Sequence, residues 1–362
     1  MNNKIAIFLP SMRGGGAERQ MRNLAEGFVA KNMVVDLVLA RAEGPYMNSI
    51  PPHVNIVDLQ ASRIIFSLPG LVRYLRREQP QAMLSAMSHA NIIAIFARKL
   101  AGVSTRLVVS ERNTPSAQKY NASFRRGRLI PRIMRFIYPG ADAIVAVSSG
   151  VKNDLERHIG IKSPSIKVIY NPVVSAALYD KAQQRVDHPW FKEHHKILLA
   201  VGRLNKQKDF PTLIQAFKKV YKHTDVRLII LGEGKERKNL HTLIEEADLT
   251  NVVDMPGFVE NPYAYMSKAA VFVLSSIMEG LPGVLIEALA LGTPVVATDC
   301  PSGPKEILQS GKYGKLVNVG DVDAIAEAIL AQLENPDFYE KMDLTPFEAE
   351  SVVNQYLELL TK

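Results

Sequence analysis

Two doubly wound α/β domains joined by a short irregular stretch are what this sequence predicts, from three observations. Short β-branched runs alternate with helix-length amphipathic segments, the pattern of parallel sheets covered by helices. That alternation lapses around 171–195 and then restarts as a second full series. A chain of 362 residues is also too long for one ordinary hydrophobic core and comfortable for two.

The first series opens with "KIAIFLP", a strand over 4–9 that runs into the glycine turn "SMRGGG" and a helix from Ala17. With three residues before it and a polar turn after it, this run is expected to be neither a leader peptide nor a membrane span. Further strands are expected near 34–40, 82–86, 106–110 and 143–147, giving a first domain over 1–172. The stretch 171–195 follows neither period and holds most of the local prolines and histidines, so the linker is placed at 173–195. The second series is "KILLAVG" (196–202), "VRLIILG" (226–232), "VVDMPG" (252–257), "VFVLSS" (271–276) and "PVVAT" (294–298), a domain over 196–345. A closing helix within 346–362 could belong to either domain, and packing back on the first is the expectation. Ligands of such sheets bind at the carboxyl ends of the strands, so two facing sheets would put a site in the cleft between them.

At 47% hydrophobic and 22% charged, the composition is that of a soluble globular protein. No apolar run reaches the roughly 18 to 20 residues that cross a bilayer. A single cysteine, Cys300, excludes an internal disulfide and a cysteine zinc cluster, and the cytoplasm is the expected compartment. The net charge of +8 is uneven: residues 1–175 carry 24 Lys/Arg against 10 Asp/Glu, and the remainder 20 against 26. The densest basic stretch, "SFRRGRLIPRIMRFIY" (123–138), mixes five arginines with apolar residues, as a helix on anionic lipid would or as a solvated surface helix would. Nucleic acid is not expected as a partner, because no binding motif accompanies the charge.

Gly14, Gly15 and Gly16 let the backbone approach a ligand at a helix start, where free amides favour an anion or a sugar oxygen; a plain tight turn is the alternative. The spacing is not the dinucleotide fingerprint, and Ala40 and Arg41 end the second strand where an acidic ribose ligand would stand, which argues against a dehydrogenase. In "VGRLNKQKD", Arg203 and Lys208 follow a strand. A planar fork and a compact point charge together could hold a diphosphate without a metal, or could be surface decoration.

"EGLPGVLIEALALG" sets Glu279 at a strand's end and Glu287 inside the next helix, on either side of Pro282 and Gly283. The amides of Gly283, Val284 and Leu285 lie between them at a helix N-terminus suited to phosphate, while Glu279 could meet a sugar and Glu287 a ribose. The structural alternative makes Glu279 a cap and Glu287 a solvated residue, but the apolar surroundings of Glu287 imply a buried charge in need of a partner. The pair Asp321 and Asp323 reads as a helix cap and not a metal clamp. No serine elbow is present and Cys300 has no histidine near it in sequence, so a hydrolase has little support.

These motifs together resemble the retaining glycosyltransferases of family 4, which have the GT-B fold. "EGLPGVLIE" matches their E-x7-E motif, and "GGGAER", "VGRLNKQKD", "LGEGKERKNL" and "GFVENPYAYM" match other landmarks in order, from about residue 4 to residue 340. More narrowly, the chain resembles the bacterial enzymes that extend lipid-linked oligosaccharides with N-acetylgalactosamine or a related hexose. The resemblance implies that Arg203 and Lys208 hold the donor diphosphate and that Glu287 binds ribose hydroxyls. It implies that Glu279 contacts the transferred sugar, that Gly15 and Gly16 close over the donor, and that Phe258 and Val259 hold the base through their backbone, with Glu233 nearby. The chain departs from the family where many relatives carry a sugar-contacting histidine: here the loop reads "SERNTPS", with Glu111, Arg112 and Asn113, and Arg112 aligns with the histidine. His89, after another strand, could touch the acceptor or be satisfied at a helix start.

The expectation is a peripheral enzyme of the inner face of the plasma membrane, in surface polysaccharide or glycan biosynthesis. It would move a hexose or N-acetylhexosamine, best N-acetylgalactosamine, from a UDP-sugar to a polyprenyl-diphosphate-linked saccharide, with retention and with neither metal nor cofactor. A GT-B-type nucleotide-sugar epimerase and a non-catalytic nucleotide-sugar or lipid-binding subunit are the alternatives.

Overall fold

In the computed structural model the β-branched runs form two parallel sheets, one in each of two units. The structure describes residues 3–13, 15–116, 130–161, 166–336 and 342–362.

Unit 1 comprises 1–173 together with 345–362. Its strands are β1 (Lys4–Leu9), β2 (Val34–Leu39), β3 (Val54–Asp58), β4 (Ala82–Ala86), β5 (Arg106–Glu111), β6 (Ala143–Ala146) and β7 (Ile166–Val168), ordered β3-β2-β1-β4-β5-β6-β7. Ile5 to Leu9 are fully buried, as a central strand covered by helices on both faces requires. Strand order reverses between β1 and β4, so the chain leaving Leu9 and the chain leaving Ala86 frame the switch point of this sheet.

Unit 2 comprises 174–344 and contains β8 (Lys196–Val201), β9 (Val226–Leu231), β10 (Val253–Gly257), β11 (Val271–Leu274), β12 (Val295–Thr298) and β13 (Lys315–Val317). The order is β10-β9-β8-β11-β12-β13, and the reversal falls between β8 and β11. The segments after Val201 and after Leu274 therefore meet at the carboxyl ends of neighbouring strands. These are the two segments that carry Arg203, Lys208 and Glu279.

Three strands have no counterpart in the sequence reading: β3, β7 and β13. All are edge strands, and their residues are only partly covered, so none shows a continuous apolar run. The stretch 173–195, expected as a linker, is instead folded into unit 2 from Val174 onward. Its irregular residues are caps and anchors. His188 is the N-cap of the helix Pro189–Lys192, accepting from Trp190 N, and its Nε2 lies 2.9 Å from Asp254 Oδ2. Asn261 Nδ2 and Ser267 Oγ donate to the carbonyls of Lys181 and Ala182 at 2.9 and 3.0 Å.

The helix Ala349–Thr361 packs against the helix Gly16–Ala30, and Val352, Val353, Tyr356 and Leu360 are buried in the core of unit 1. Gly27 makes this approach possible, since a Cβ there would lie 2.3 Å from Val353 Cγ2.

Candidate active site

The switch point of unit 2 gathers most of the expected donor residues. Asn205 caps a short turn by accepting from Lys208 N at 3.2 Å, and the chain then passes through Asp209 in the left-handed region (φ +46°) into the helix Phe210–Tyr221. This geometry turns Lys208 inward. Its stem runs directly over Gly202, where a Cβ would sit 2.8 Å from Lys208 Cε, so glycine is needed there for the lysine to lie flat. Two cross-links tie this turn to the segment after β11: Ile277 N donates to Gln207 O at 2.9 Å, and Ser275 Oγ donates to Lys208 O at 2.7 Å.

Lys208 Nζ thereby reaches Glu279 Oε1 at 2.7 Å, in a pair whose side chains are 15% and 10% exposed. Ser276 Oγ donates to the same oxygen at 2.7 Å, so the carboxylate is oriented by two donors on Oε1 while Oε2 is unengaged among the described residues. The Glu279 backbone is clasped as well: its N–H donates to Pro301 O at 2.8 Å, and its carbonyl accepts from Ser302 N at 3.0 Å. Beside the pair, the Cys300 thiol is pushed up to about 12 by burial and by the Glu279 carboxylate, so it stays a neutral thiol and not a nucleophile.

The turn after Glu279 leads into the helix Gly283–Ala290. Leu285 N is taken by Pro282 O at 3.0 Å, which removes it from the expected anion-binding set. Gly283 and Val284 keep amides that have no acceptor within the helix. Glu287 is only 1% exposed, inside the protein and not on a solvated face. Arg203 is exposed and forms no ion pair among the described residues.

On the β9 side, Gly232 (φ +143°) and Gly234 allow two loops to touch, because a Cβ at either would lie 2.0 or 2.2 Å from the carbonyl oxygen of Gly202 or Leu204. Glu233 forms a two-pronged pair with Arg237, at 3.0 and 2.7 Å, and the guanidinium holds its carboxyl below the usual range. Arg237 also donates to Met255 O at 3.0 Å, bridging toward Phe258, which is exposed, and Val259, which is half-buried. Sequence reading passed over Arg237, Gly202 and Ser276. Only the first had a legible signal, the i, i+4 spacing from Glu233.

In unit 1, Gly15 is the N-cap of the helix Gly16–Ala30, no side chain caps that end, and nothing lies within 4 Å of where a Cβ of Gly16 would be. Gly14 lies outside the described residues. Glu111 and Arg112, expected as sugar or acceptor contacts, are buried and bonded within the unit. Glu111 accepts from Ser88 Oγ and from the Tyr138 hydroxyl, each at 2.7 Å, and burial raises its carboxyl to about 7. Arg112 Nη2 donates to Asn171 Oδ1 at 2.6 Å, and burial lowers its guanidinium from the ordinary value. Asn113 is half-buried, and His89 stands exposed in the first turn of the helix Ser88–Ala101, its imidazole lowered by desolvation. Asp321 caps the helix Val322–Glu334, accepting from Ala324 N at 3.0 Å.

Comparison with known proteins supplies the family. The family model described as Glycosyl transferases group 1 matches residues 180–344, and the one described as Glycosyltransferase Family 4 matches residues 14–176. These two matches, on two parallel-sheet units, define a glycosyltransferase of GT-B fold. A Campylobacter jejuni protein named as an N-acetylgalactosamine-N,N'-diacetylbacillosaminyl-diphospho-undecaprenol 4-alpha-N-acetylgalactosaminyltransferase is 32% identical over 92% of this chain and 90% of its own length. The chain belongs to glycosyltransferase family 4. Among solved structures, sucrose-phosphate synthase from Thermosynechococcus elongatus superposes with a TM-score of 0.81 at 21% identity, covering 98% of both chains. Anabaena HepE in complex with UDP and glucose gives 0.80 at 20% identity, covering 99% of both.

Proposed function

We propose that this glycosyltransferase moves an N-acetylhexosamine or hexose, N-acetylgalactosamine by preference, from a UDP-sugar to a polyprenyl-diphosphate-linked saccharide, with retention at the anomeric carbon. The observation that carries the reading is the 2.7 Å contact between Lys208 Nζ and Glu279 Oε1 at the switch point of unit 2. A cation able to meet a diphosphate and a carboxylate able to meet a sugar stand side by side, as donor and leaving group require.

In this reading Lys208, with exposed Arg203 joining it, takes up negative charge as the diphosphate departs. Preorganised cations act most strongly on rate where charge develops. The amides of Gly283 and Val284 add the positive end of a helix. Oε2 of Glu279 accepts from sugar hydroxyls while Ser276 keeps Oε1 in place, and Glu287 binds the ribose. Two side-chain cations and two amides supply the electrophilic assistance, so no metal is invoked and chelation by EDTA should leave turnover unchanged. The Campylobacter relative's name supports the N-acetylgalactosamine and undecaprenyl-linked assignments, and the UDP held by Anabaena HepE supports the nucleotide. Work on a lipid-linked acceptor would bring the enzyme to the inner face of the plasma membrane, the location this reading implies.

Transfer from radiolabelled UDP-sugars to a lipid-linked acceptor tests the reading, with wild type and Lys208→Ala compared. Loss of one such contact is expected to lower turnover roughly a hundredfold or more. Equal turnover by a folded Lys208→Ala protein would remove the leaving-group role. Thermal shift with UDP-, GDP- and TDP-sugars reads the donor independently, since saturation a hundredfold above Kd stabilises by about 2.7 kcal/mol.

A further inference from the structure

Eight large apolar side chains of unit 1 are exposed among the described residues, and six of them fall on three elements, of which the helix Ser88–Ala101 packs against both of the others. Ile65 and Phe66 lie on the short turn Ile64–Ser67, Phe96 and Leu100 on the helix Ser88–Ala101, and Ile133 and Phe136 on the helix Ile130–Ile137. On the middle helix, Phe96 and Leu100 are one turn apart and share an outward stripe with half-buried Ile92. The exposures of Phe66 and Phe136 reach 63% and 80%, too high for side chains that serve the core of the unit. Exposed apolar side chains gathered on elements that pack against one helix mark an interaction surface.

The charges around the face say what covers it. The helices Leu68–Glu78, Ser88–Ala101 and Ile130–Ile137 carry seven basic residues and one acidic residue, Glu78, whose carboxylate is held by Lys4 and Arg77. Arg76 and Arg98 are spent on the fold, donating to Leu100 O and Gly140 O at 2.8 Å each. Arg73, Lys99, Arg132 and Arg135 form no ion pair among the described residues. Arg73, Arg76 and Arg77 also line a depression of about 430 Å³ with Pro69 and Val72. A second copy of this chain would bring the same unpaired cations against themselves, which opposes self-association through this face.

We propose that this face docks on an anionic lipid bilayer, its apolar side chains entering among the acyl chains and its unpaired arginines meeting headgroup phosphates. The inference deepens the proposed function, on which it rests for the lipid-linked acceptor, by naming the surface that meets the membrane.

Flotation with liposomes, without donor or acceptor, tests docking separately from transfer. Wild type is expected to float with phosphatidylcholine vesicles containing one third phosphatidylglycerol, and less so at high salt. Phe66→Asp and Phe136→Asp should each reduce the bound fraction roughly tenfold, the worth of one buried aromatic. Arg73→Ala with Arg132→Ala should abolish the preference for anionic over neutral vesicles. Val319→Asp, at an exposed apolar position of unit 2, should float like wild type. Circular dichroism melts confirm that each variant folds. Absence of wild-type flotation would overturn the proposal, as would Phe66→Asp and Phe136→Asp floating undiminished. So would a wild-type dimer that either variant converts to monomer, which would make the face a protein interface. Intact transfer to a water-soluble acceptor analogue alongside failed flotation would overturn docking alone.

Discussion

Replacing Glu111 by glutamine removes the most strongly raised carboxyl of unit 1 and keeps its shape. In the folded chain this group titrates at about 7, against an ordinary value of 4.5. Burial is the main cause, opposed by the bonds from Ser88 and Tyr138, which favour the carboxylate. Between these two values the folded protein holds a proton that the unfolded chain has released. Stability therefore falls as pH rises from about 4.5 to about 7 and is level above, by on the order of 3 kcal/mol in full. Glu111→Gln carries no titrating group, and its amide oxygen still accepts from Ser88. Relative to wild type it should gain stability from pH 5 to pH 8, by as much as ~3 kcal/mol, or roughly 6–12 °C in the melting of unit 1. Urea and thermal unfolding followed by circular dichroism at several pH values read the difference. Parallel pH profiles for the two proteins would refute the argument, because they would mean that Glu111 ionises alike in the folded and unfolded chain.

Other expectations concern the donor site and the return of the C-terminal helix. Gly202→Ala sets a methyl 2.8 Å from Lys208 Cε and should lower turnover sharply with little change in melting temperature, which kinetics and thermal shift on one preparation would show. Glu279→Gln keeps an acceptor for Ser276 but loses the charge that orients Lys208, so turnover should fall more than donor affinity does, as a comparison of kcat with UDP-sugar Kd would reveal. Gly27→Ala overlaps Val353 and should destabilise unit 1 by about 1–3 kcal/mol. Val353→Ala should recover part of that loss in a double-mutant cycle, an additive result contradicting the contact.

Legibility in the sequence followed how many neighbours a residue has on both sides. Central strands such as β1 and β8 are covered on both faces and read as plain apolar runs, whereas edge strands β3, β7 and β13 are partly uncovered and gave no such signal. In the candidate site, Lys208 and Glu279 were readable because each follows a strand, and the strand order then makes those two ends adjacent. Their contact was not readable, since it depends on the space above Gly202 and on the bonds from Ile277 N and Ser275 Oγ to the carbonyls of Gln207 and Lys208. The internal bonds of Glu111 and Arg112 were not readable either, because their partners, Ser88, Tyr138 and Asn171, come from distant segments.

Because 345–362 completes the core of unit 1 after 174–344 has been laid down, unit 2 is an insertion in the covalent order of its neighbour. All strands of the second sheet precede in the chain the residues Val352, Val353 and Tyr356 that the core of the first requires. A released chain cut before Thr345 would carry a complete unit 2 and an unfinished unit 1, with the groove beside Gly27 uncovered.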